Sequence, residues 1–166
     1  MTLDKDKIKE QLITELTILR QRVTDLEKTN EDYRQAEYQL QERYKELNCI
    51  YAITQIIDDS NLTLQEVYQL VADILPSGFM YPEIACAKII IGEHYFKTRK
   101  YKETEWKLSS DIEVEGEIIG TVEVYYLESK PEMDLGPFLN AEWLLISIAA
   151  GRLGRITELM QAKNRR

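Results

Sequence analysis

A seven-residue repeat of apolar residues constrains this chain more than any other feature of its sequence. From Asp4 to Asp59 there is no glycine and no proline, and strong helix formers predominate. Within this stretch apolar residues recur at alternating spacings of four and three, as positions a and d of a coiled coil do. The seam consists of Leu12, Leu16, Leu19, Val23, Leu26, Asn30, Tyr33, Glu37, Leu40, Tyr44, Leu47 and Tyr51, interrupted only by Asn30 and Glu37. A period of seven held for so long favours paired helices.

Charged residues beside this seam predict that the two helices are parallel. Glu15 at position g and Arg20 at the following e attract each other across parallel helices, and Arg22 and Glu27 do so with reversed signs. Asn30 at an a position favours two strands in one register. The alternative is an isolated surface helix with solvated charges, which would leave a strip of leucine unburied. We therefore predict a homodimer held by a parallel coiled coil.

Beyond a cluster of turn residues at 58–61 the hydrophobic pattern changes. A second helix is predicted from Leu64 to Leu75, ended by the Pro-Ser-Gly sequence at 76–78. Four runs with a period of two follow, and a final helix that is apolar nearly all round begins after Pro137. The runs are Ile84–Ile91, Tyr95–Tyr101, Trp106–Val114 and Ile118–Leu127. The predicted fold class is α+β, an antiparallel sheet flanked by helices, with one covered face and one wetter face.

Three segments of the second part resemble a known family. The sequence EVEGEIIGTVEVYYLE at 113–128, a strand, a turn and a strand before the last helix, looks like a GAF domain. The segments at 47–59, 74–89 and 124–156 resemble a small GAF-like sensory module found beside PAS domains and histidine kinase cores. This resemblance covers about Leu47 to Leu159, and it implies a GAF-like fold, a homodimer and a place in signal transduction. It implies no particular ligand.

These patterns divide the chain into three predicted parts. Residues 1–46 form the coiled-coil helix, residues 47–162 the GAF-like domain, and residues 163–166 a basic tail. The last helix needs cover on more than one side, for which the N-terminal helices of a dimer are the natural candidates. Gly151 and Gly154 allow close approach of a neighbouring backbone, either in that dimer or within one subunit.

Few residues of the chain suit catalysis or metal binding. There is one histidine, His94, two cysteines, Cys49 and Cys86, and no metalloprotease, P-loop, nucleophile-elbow or dinucleotide motif. We therefore predict no enzyme and no metal site. No cofactor is implied; haem needs only one or two axial ligands, which His94 or Cys86 would supply, but a surface histidine and a buried thiol are favoured.

The wetter face of the sheet is the candidate ligand site. Its predicted ligand-binding residues are Cys86, Lys88, Tyr95, Glu123 and Tyr125. The functional interpretation is the floor of a vestigial pocket, and the favoured alternative is a cross-strand ion pair between Lys88 and Glu123. The basic, aromatic segment His94–Lys102 suits an anionic ligand or single-stranded nucleic acid, or else an edge hairpin whose lysines discourage aggregation, which we favour.

Composition limits the partners of the chain. With 21 basic and 29 acidic residues the formal net charge is −8, which argues against nucleic acid as a partner. No run of about 18 apolar residues exists, so we expect no membrane span, and the charged N-terminus and unpaired cysteines predict a cytoplasmic protein. The predicted function is a non-catalytic sensory or regulatory dimerisation module, coupled to a histidine kinase or another signalling protein. The alternative is a coiled-coil adapter that binds a protein partner and no small molecule.

Overall fold

The computed structural model describes residues 2–165 and confirms the predicted α+β class. The elements are α1 (Thr2–Asp58), α2 (Leu64–Ile74), two short 3₁₀ helices (Leu75–Gly78 and Pro82–Ile84), β1 (Ala85–Ile91), β2 (His94–Lys97), β3 (Lys107–Val114), β4 (Glu117–Tyr126) and α3 (Asn140–Asn164). The side chain of Thr63 caps α2 by accepting a hydrogen bond of 3.2 Å from the N–H of Glu66. Position 166 of the predicted basic tail lies outside the described residues, and Lys163 belongs to α3.

The chain divides into two compact units, the first ending at Gln41 and the second beginning at Glu42. Helix α1 contributes to both units, because it runs without a break from Thr2 to Asp58. The first unit consists of helix alone, and its threonines at 14, 17, 24 and 29 hydrogen-bond to the carbonyl four residues earlier. The predicted boundary between residues 46 and 47 also falls within α1.

The sheet of the second unit is antiparallel, with strand order β2-β1-β4-β3. Strands β1 and β4 are neighbours, as expected, and Lys88 stands opposite Glu123. Gly120 is required in β4, because any side chain there would overlap the carbonyl oxygen of Ile90. The alternation of the sequence places Ala87, Ile89, Val122, Val124 and Tyr126 in the core, as predicted.

Strand β2 is shorter than the period-two pattern predicted. It ends at Lys97 rather than Tyr101, and the N–H of Tyr101 hydrogen-bonds to the carbonyl of Thr98 in a turn. The reason lies in the strand order, since β2 and β3 are the two edges of the sheet. The connecting residues 98–106 must cross from one edge to the other. We call residues 98–106 the strap.

Helices α2 and α3 cover the core face of the sheet, and the last turns of α1 contribute side chains to the same core. From α1, Cys49 and Ile53 are buried in this core. One side of α3 is buried through Leu145, Ile146, Ala149, Ala150 and Leu153. On its other side, Trp143 is 46% and Leu144 is 54% exposed in the single chain. The prediction that α3 is covered on more than one side therefore stays a prediction about the dimer.

The two glycines of α3 have different surroundings. A side chain at Gly154 would overlap the carbonyl oxygen of Glu113 in β3, whereas one at Gly151 would meet no atom within 4 Å. Gly154 therefore serves close packing within one subunit. Gly151 leaves a smooth, open place on the exposed side of the helix.

Candidate ligand site on the polar sheet face

The strap buries part of the sheet face that we expected to be wetter. Cys86 is 0%, Tyr125 2% and Glu123 6% exposed, so the expectation is wrong for these three residues. It is confirmed on β3, where the outward residues Lys107, Ser109, Asp111 and Glu113 are exposed. The Sγ of Cys86 contacts the carbonyl oxygen of Lys102 at 3.5 Å, which places the strap directly over β1. The strand order requires the segment that joins the two edge strands to pass β1 and β4, and the contact with Cys86 shows that it does so over this face.

Both ends of the strap are anchored by threonine hydroxyls. The Thr98 hydroxyl accepts a hydrogen bond of 3.1 Å from the N–H of Ala87 in β1. At the other end the Thr104 hydroxyl donates one of 2.7 Å to the carbonyl of Tyr126 in β4. Because β1 and β4 are the two central strands, these bonds hold the strap across both of them, near the start of β1 and the end of β4.

A buried carboxylate forms the acidic part of the covered face. The Oε1 of Glu123 lies 3.1 Å from Nζ of Lys107, and its Oε2 accepts a hydrogen bond of 2.7 Å from the Tyr125 hydroxyl. Burial raises the pKa of Tyr125, and the negative charge of Glu123 adds to this effect. Tyr125 therefore remains a neutral donor to Glu123.

Two lysines and two tyrosines form the basic part. The Nζ of Lys88 lies 4.8 Å from the ring centroid of Tyr95 and 5.4 Å from that of Tyr101. The Nζ of Lys97 lies 5.7 Å and 5.0 Å from the same two rings. Ring faces attract cations at these distances. The arrangement therefore holds two positive charges over one side of the sheet.

The ion pairs differ from the predicted pair of Lys88 with Glu123. Lys88 forms its ion pair with Glu103 of the strap, at 3.7 Å, and Glu123 forms its own with Lys107. Desolvation lowers the pKa of Lys88, but the nearby Tyr101 hydroxyl and the carboxylates outweigh this, so the pKa is raised above 10.5. Lys88 therefore remains positively charged on this partly covered face of the sheet.

Two hydroxyl oxygens near this face have no hydrogen-bond partner among the described residues. They are Oη of Tyr101 and Oγ1 of Thr121, and both are buried. The ring of Tyr101 packs edge-on against Tyr125, with centroids 5.6 Å apart. An unpartnered buried hydroxyl is costly, which applies to Thr121, whereas the Tyr101 hydroxyl lies close enough to Lys88 to raise the pKa of that lysine.

The five predicted ligand residues thus share one face of the sheet, although not one cluster. Lys88 contacts Tyr95, and Glu123 contacts Tyr125, while Cys86 lies under the strap beside Lys102. Whether they bind a ligand stays a prediction. Sequence reasoning missed Glu103 of the strap and Lys107 of β3, and it considered Tyr101 only as a member of the segment His94–Lys102. The signal that would have found them is the crossing from edge to edge, which requires the strand order.

The candidate haem ligands do not converge. His94 is exposed at the start of β2 and stands opposite Ile91, the last residue of β1. Cys86 lies near the first residue of β1, about 17 Å away along the strand. Within residues 2–165 no three His, Cys, Asp or Glu side chains form a group suited to a metal ion.

The predicted dimer seam lies open on the single chain. Its eight apolar members from the predicted interface, Leu12, Leu16, Leu19, Val23, Leu26, Tyr33, Leu40 and Leu47, are 52–72% exposed, and Asn30 is exposed as well. In residues 2–165 no helix combines the length and the apolar character needed to cross a membrane. No family model matches the sequence, and no curated protein matches it.

Proposed function

We propose that this chain is a non-catalytic, dimeric regulatory module of GAF-like type that relays a signal through paired helices. One observation carries the proposal. The same helix α1 presents an exposed heptad seam, exemplified by Leu19 and Leu26, and inserts Cys49 and Ile53 into the core of the second unit. A seam of this length is stable only when a second helix buries it.

The relay rests on the continuity of α1. Because no break in helical structure separates its seam from Ile53, a shift of the core against α1 would act on the same helix that carries the seam. Packed helix interfaces have discrete alternative arrangements, so a small rotation or register change is the natural form of the signal. We propose a histidine kinase or another cytoplasmic signalling protein as the recipient.

The GAF-like assignment is supported by the order of elements. Two helices, four antiparallel strands and a closing helix occur in the order that the resemblance implies. In this proposal a sensed molecule would bind at the strap-covered face, beside Lys88 and the buried hydroxyls of Tyr101 and Thr121. The ligand would shift the helix pair only through unequal affinity for its two arrangements.

Disulfide trapping tests the dimer on which the proposal depends. A cysteine in place of Leu19, at a d position, faces its own copy in a parallel, in-register coil. Leu19→Cys should therefore form a crosslinked dimer on mild oxidation. The matched control is Ile18→Cys, because Ile18 is 48% and Leu19 53% exposed on the single chain. Equal crosslinking of both variants, or of neither, would count against a parallel seam.

Heptad insertions test the relay itself. A histidine kinase core fused after Leu159 provides the output, and residues are inserted into α1 after Gln41, where the first unit ends. An insertion of seven residues keeps the seam in phase and should preserve kinase activity, whereas an insertion of four rotates it and should change the activity. Identical output from both insertions would refute relay through α1.

The second candidate function is an adapter that binds a protein partner without any small molecule. The strap favours it, because the chain's own Tyr101 fills the covered face against Tyr125. Mass spectrometry of the freshly purified dimer under native conditions separates the two candidates. A retained small molecule supports the sensory module, and kinase output that is unaltered by Lys88→Met supports the adapter.

A further inference from the structure

One corner of the sheet carries a concentrated positive charge. Across residues 94–102 there are four lysine or arginine residues and no carboxylate, in a chain whose net charge is −8. All four side chains are exposed, and none forms an ion pair with the described residues. Glu103 beside them is paired with Lys88 instead. We define the basic corner as Lys97, Arg99, Lys100 and Lys102.

A second corner carries an equal negative charge. Across residues 111–117 there are four carboxylates and no cation. These four are likewise exposed and form no ion pair with the described residues. They are held in place by the β3–β4 hairpin, whose tight turn has positive φ at Glu115 (52°) and Gly116 (81°). We define the acidic corner as Asp111, Glu113, Glu115 and Glu117.

The two corners lie diagonally across the sheet. Lys97 ends the edge strand β2, and Arg99, Lys100 and Lys102 follow it on the strap, whereas the acidic corner lies where the opposite edge strand β3 ends. Ile91 of β1 pairs with His94 of β2 and with Gly120 of β4, and Gly120 in turn pairs with Ile112 of β3. The end of β3 is therefore aligned with the start of β2. The two edge strands are about 14 Å apart across the sheet, which is more than the screening length of about 8 Å at physiological salt. The two corners therefore do not neutralise each other within one copy.

The two corners carry charges of opposite sign, which favours attraction between copies over protection against edge-to-edge association. Proteins use charge on edge strands to prevent edge-to-edge association. Charges of one sign on both edges would repel in every pairing of two copies. Charges of opposite sign permit one pairing, the basic edge of one copy against the acidic edge of another. We propose that copies of this chain associate head to tail, the basic corner of one docking on the acidic corner of the next.

This contact is of a different kind from the coiled-coil dimer and does not depend on it. A symmetric dimer uses the same patch on both copies, whereas this contact joins two different patches and leaves one of each unpaired at the ends. Association therefore continues beyond two copies. Because every charge involved is exposed to solvent, the assembly is weak and sensitive to salt.

Sedimentation velocity over a range of protein concentrations tests the proposal. In about 50 mM salt the wild-type chain should form species larger than those in about 500 mM salt, where the corners are screened. The association constant should fall at least about tenfold between the two conditions. Equal species sizes in both conditions would overturn the proposal.

Charge reversal at each corner identifies the surfaces. The acidic-corner variant carries Glu113→Lys, Glu115→Lys and Glu117→Lys, and the basic-corner variant carries Arg99→Glu, Lys100→Glu and Lys102→Glu. Each alone should lose the salt-dependent assembly, since both of its corners then have one sign. A mixture of the two variants should assemble again. The control matched to the acidic-corner variant reverses three other exposed carboxylates by Glu83→Lys, Glu128→Lys and Glu132→Lys, which changes the net charge by the same amount, and it should still assemble.

A variant with both corners reversed completes the test. It has the wild-type net charge of −8 and, if the corners dock on each other, it should assemble like the wild type. Failure of both this variant and the mixture to assemble, with circular dichroism showing folded chains, would refute corner-to-corner docking. A wild type that does not assemble but shifts single-stranded nucleic acid through its basic corner would refute it too, and would assign that corner to nucleic acid.

Discussion

Tyr126 donates a hydrogen bond of 2.9 Å to the carboxylate of Glu142, in the interior of the second unit. The same carboxylate accepts hydrogen bonds from the N–H groups of Met80, at 2.8 Å, and Leu139, at 2.7 Å. It thereby joins β4 and the chain before β1 to the first turn of α3. Glu142 is 1% exposed, and burial raises its pKa above 4.5 although the three donors oppose the shift.

This raised pKa predicts how stability depends on pH. In the unfolded chain the carboxyl group titrates near 4.5, and in the native chain it holds its proton to a higher pH. Between these two values the native state binds more protons, so the free energy of unfolding contributed by Glu142 falls as pH rises through this window. Glu142→Gln removes that slope, so the stability of the wild type relative to the variant should decrease as pH rises.

Urea unfolding at a series of pH values above 4.5 measures this difference. At the lower end of the series we expect Glu142→Gln to be less stable than the wild type by about 1–3 kcal/mol, because glutamine offers one acceptor oxygen to three donors. Glu46→Gln should show the same direction of pH dependence, since burial and Glu142 raise the pKa of Glu46. A difference that grows with pH would contradict the assignment.

The coiled-coil dimer predicts a strong effect of charge in the seam. Aspartate at Leu19 and Leu26 would place carboxylates in a buried interface, and the dissociation constant should rise by a factor on the order of 100 or more. Light scattering measures the change. Ile18→Asp is the control, since it adds a carboxylate beside the seam and should leave the dimer intact. An unchanged dimer in the double variant would show that α1 is not the main contact.

Asn30 is expected to lower the stability of the coiled coil and to restrict it to a dimer. At an a position its amide is buried at a cost, so Asn30→Leu should raise the melting temperature and allow oligomers larger than a dimer. Calorimetry and sedimentation equilibrium follow the two effects. If the melting temperature instead falls and the oligomer is unchanged, the Asn30 side chain makes a different, necessary contact.

The two glycines of α3 predict opposite responses to alanine. Gly154→Ala should lower the free energy of unfolding by about 1–3 kcal/mol, because the new methyl group overlaps the Glu113 carbonyl. Gly151→Ala should raise it by up to about 1 kcal/mol, because alanine favours helix and meets no atom there. Thermal unfolding at several protein concentrations measures both. Destabilisation by Gly151→Ala that weakens on dilution would instead place Gly151 in the dimer interface.

The strap predicts the reactivity of the natural cysteines. Both are buried, and burial raises the pKa of Cys49 to about 11 and also raises that of Cys86. Both thiols should therefore react slowly with a disulfide reagent near pH 8. Tyr101→Ala removes the packing of the strap on Tyr125 and should accelerate the labelling of Cys86 alone. The same variant with Cys86→Ser is the control, and acceleration that persists in it would mean that the core, not the strap, has opened.

The sequence by itself determined the elements whose cause is local. The absence of glycine and proline and the seven-residue period predict the long helix α1, and the change from a helical period to a period of two predicts the strands. The turn residues at 58–61 and the Pro-Ser-Gly sequence at 76–78 mark the ends of elements. These elements can be predicted from sequence because helix propensity, capping and alternation each act over a few neighbouring residues.

Only the tertiary structure decided which residues meet. The strand order placed β2 and β3 at opposite edges, and that order buried Cys86, Glu123 and Tyr125 under the strap, where alternation had predicted solvent. The same order paired Lys88 with Glu103 rather than with Glu123. Burial of this kind depends on segments distant in sequence, whose crossing is set by chain topology, and a pattern of period two carries no information about what covers either face.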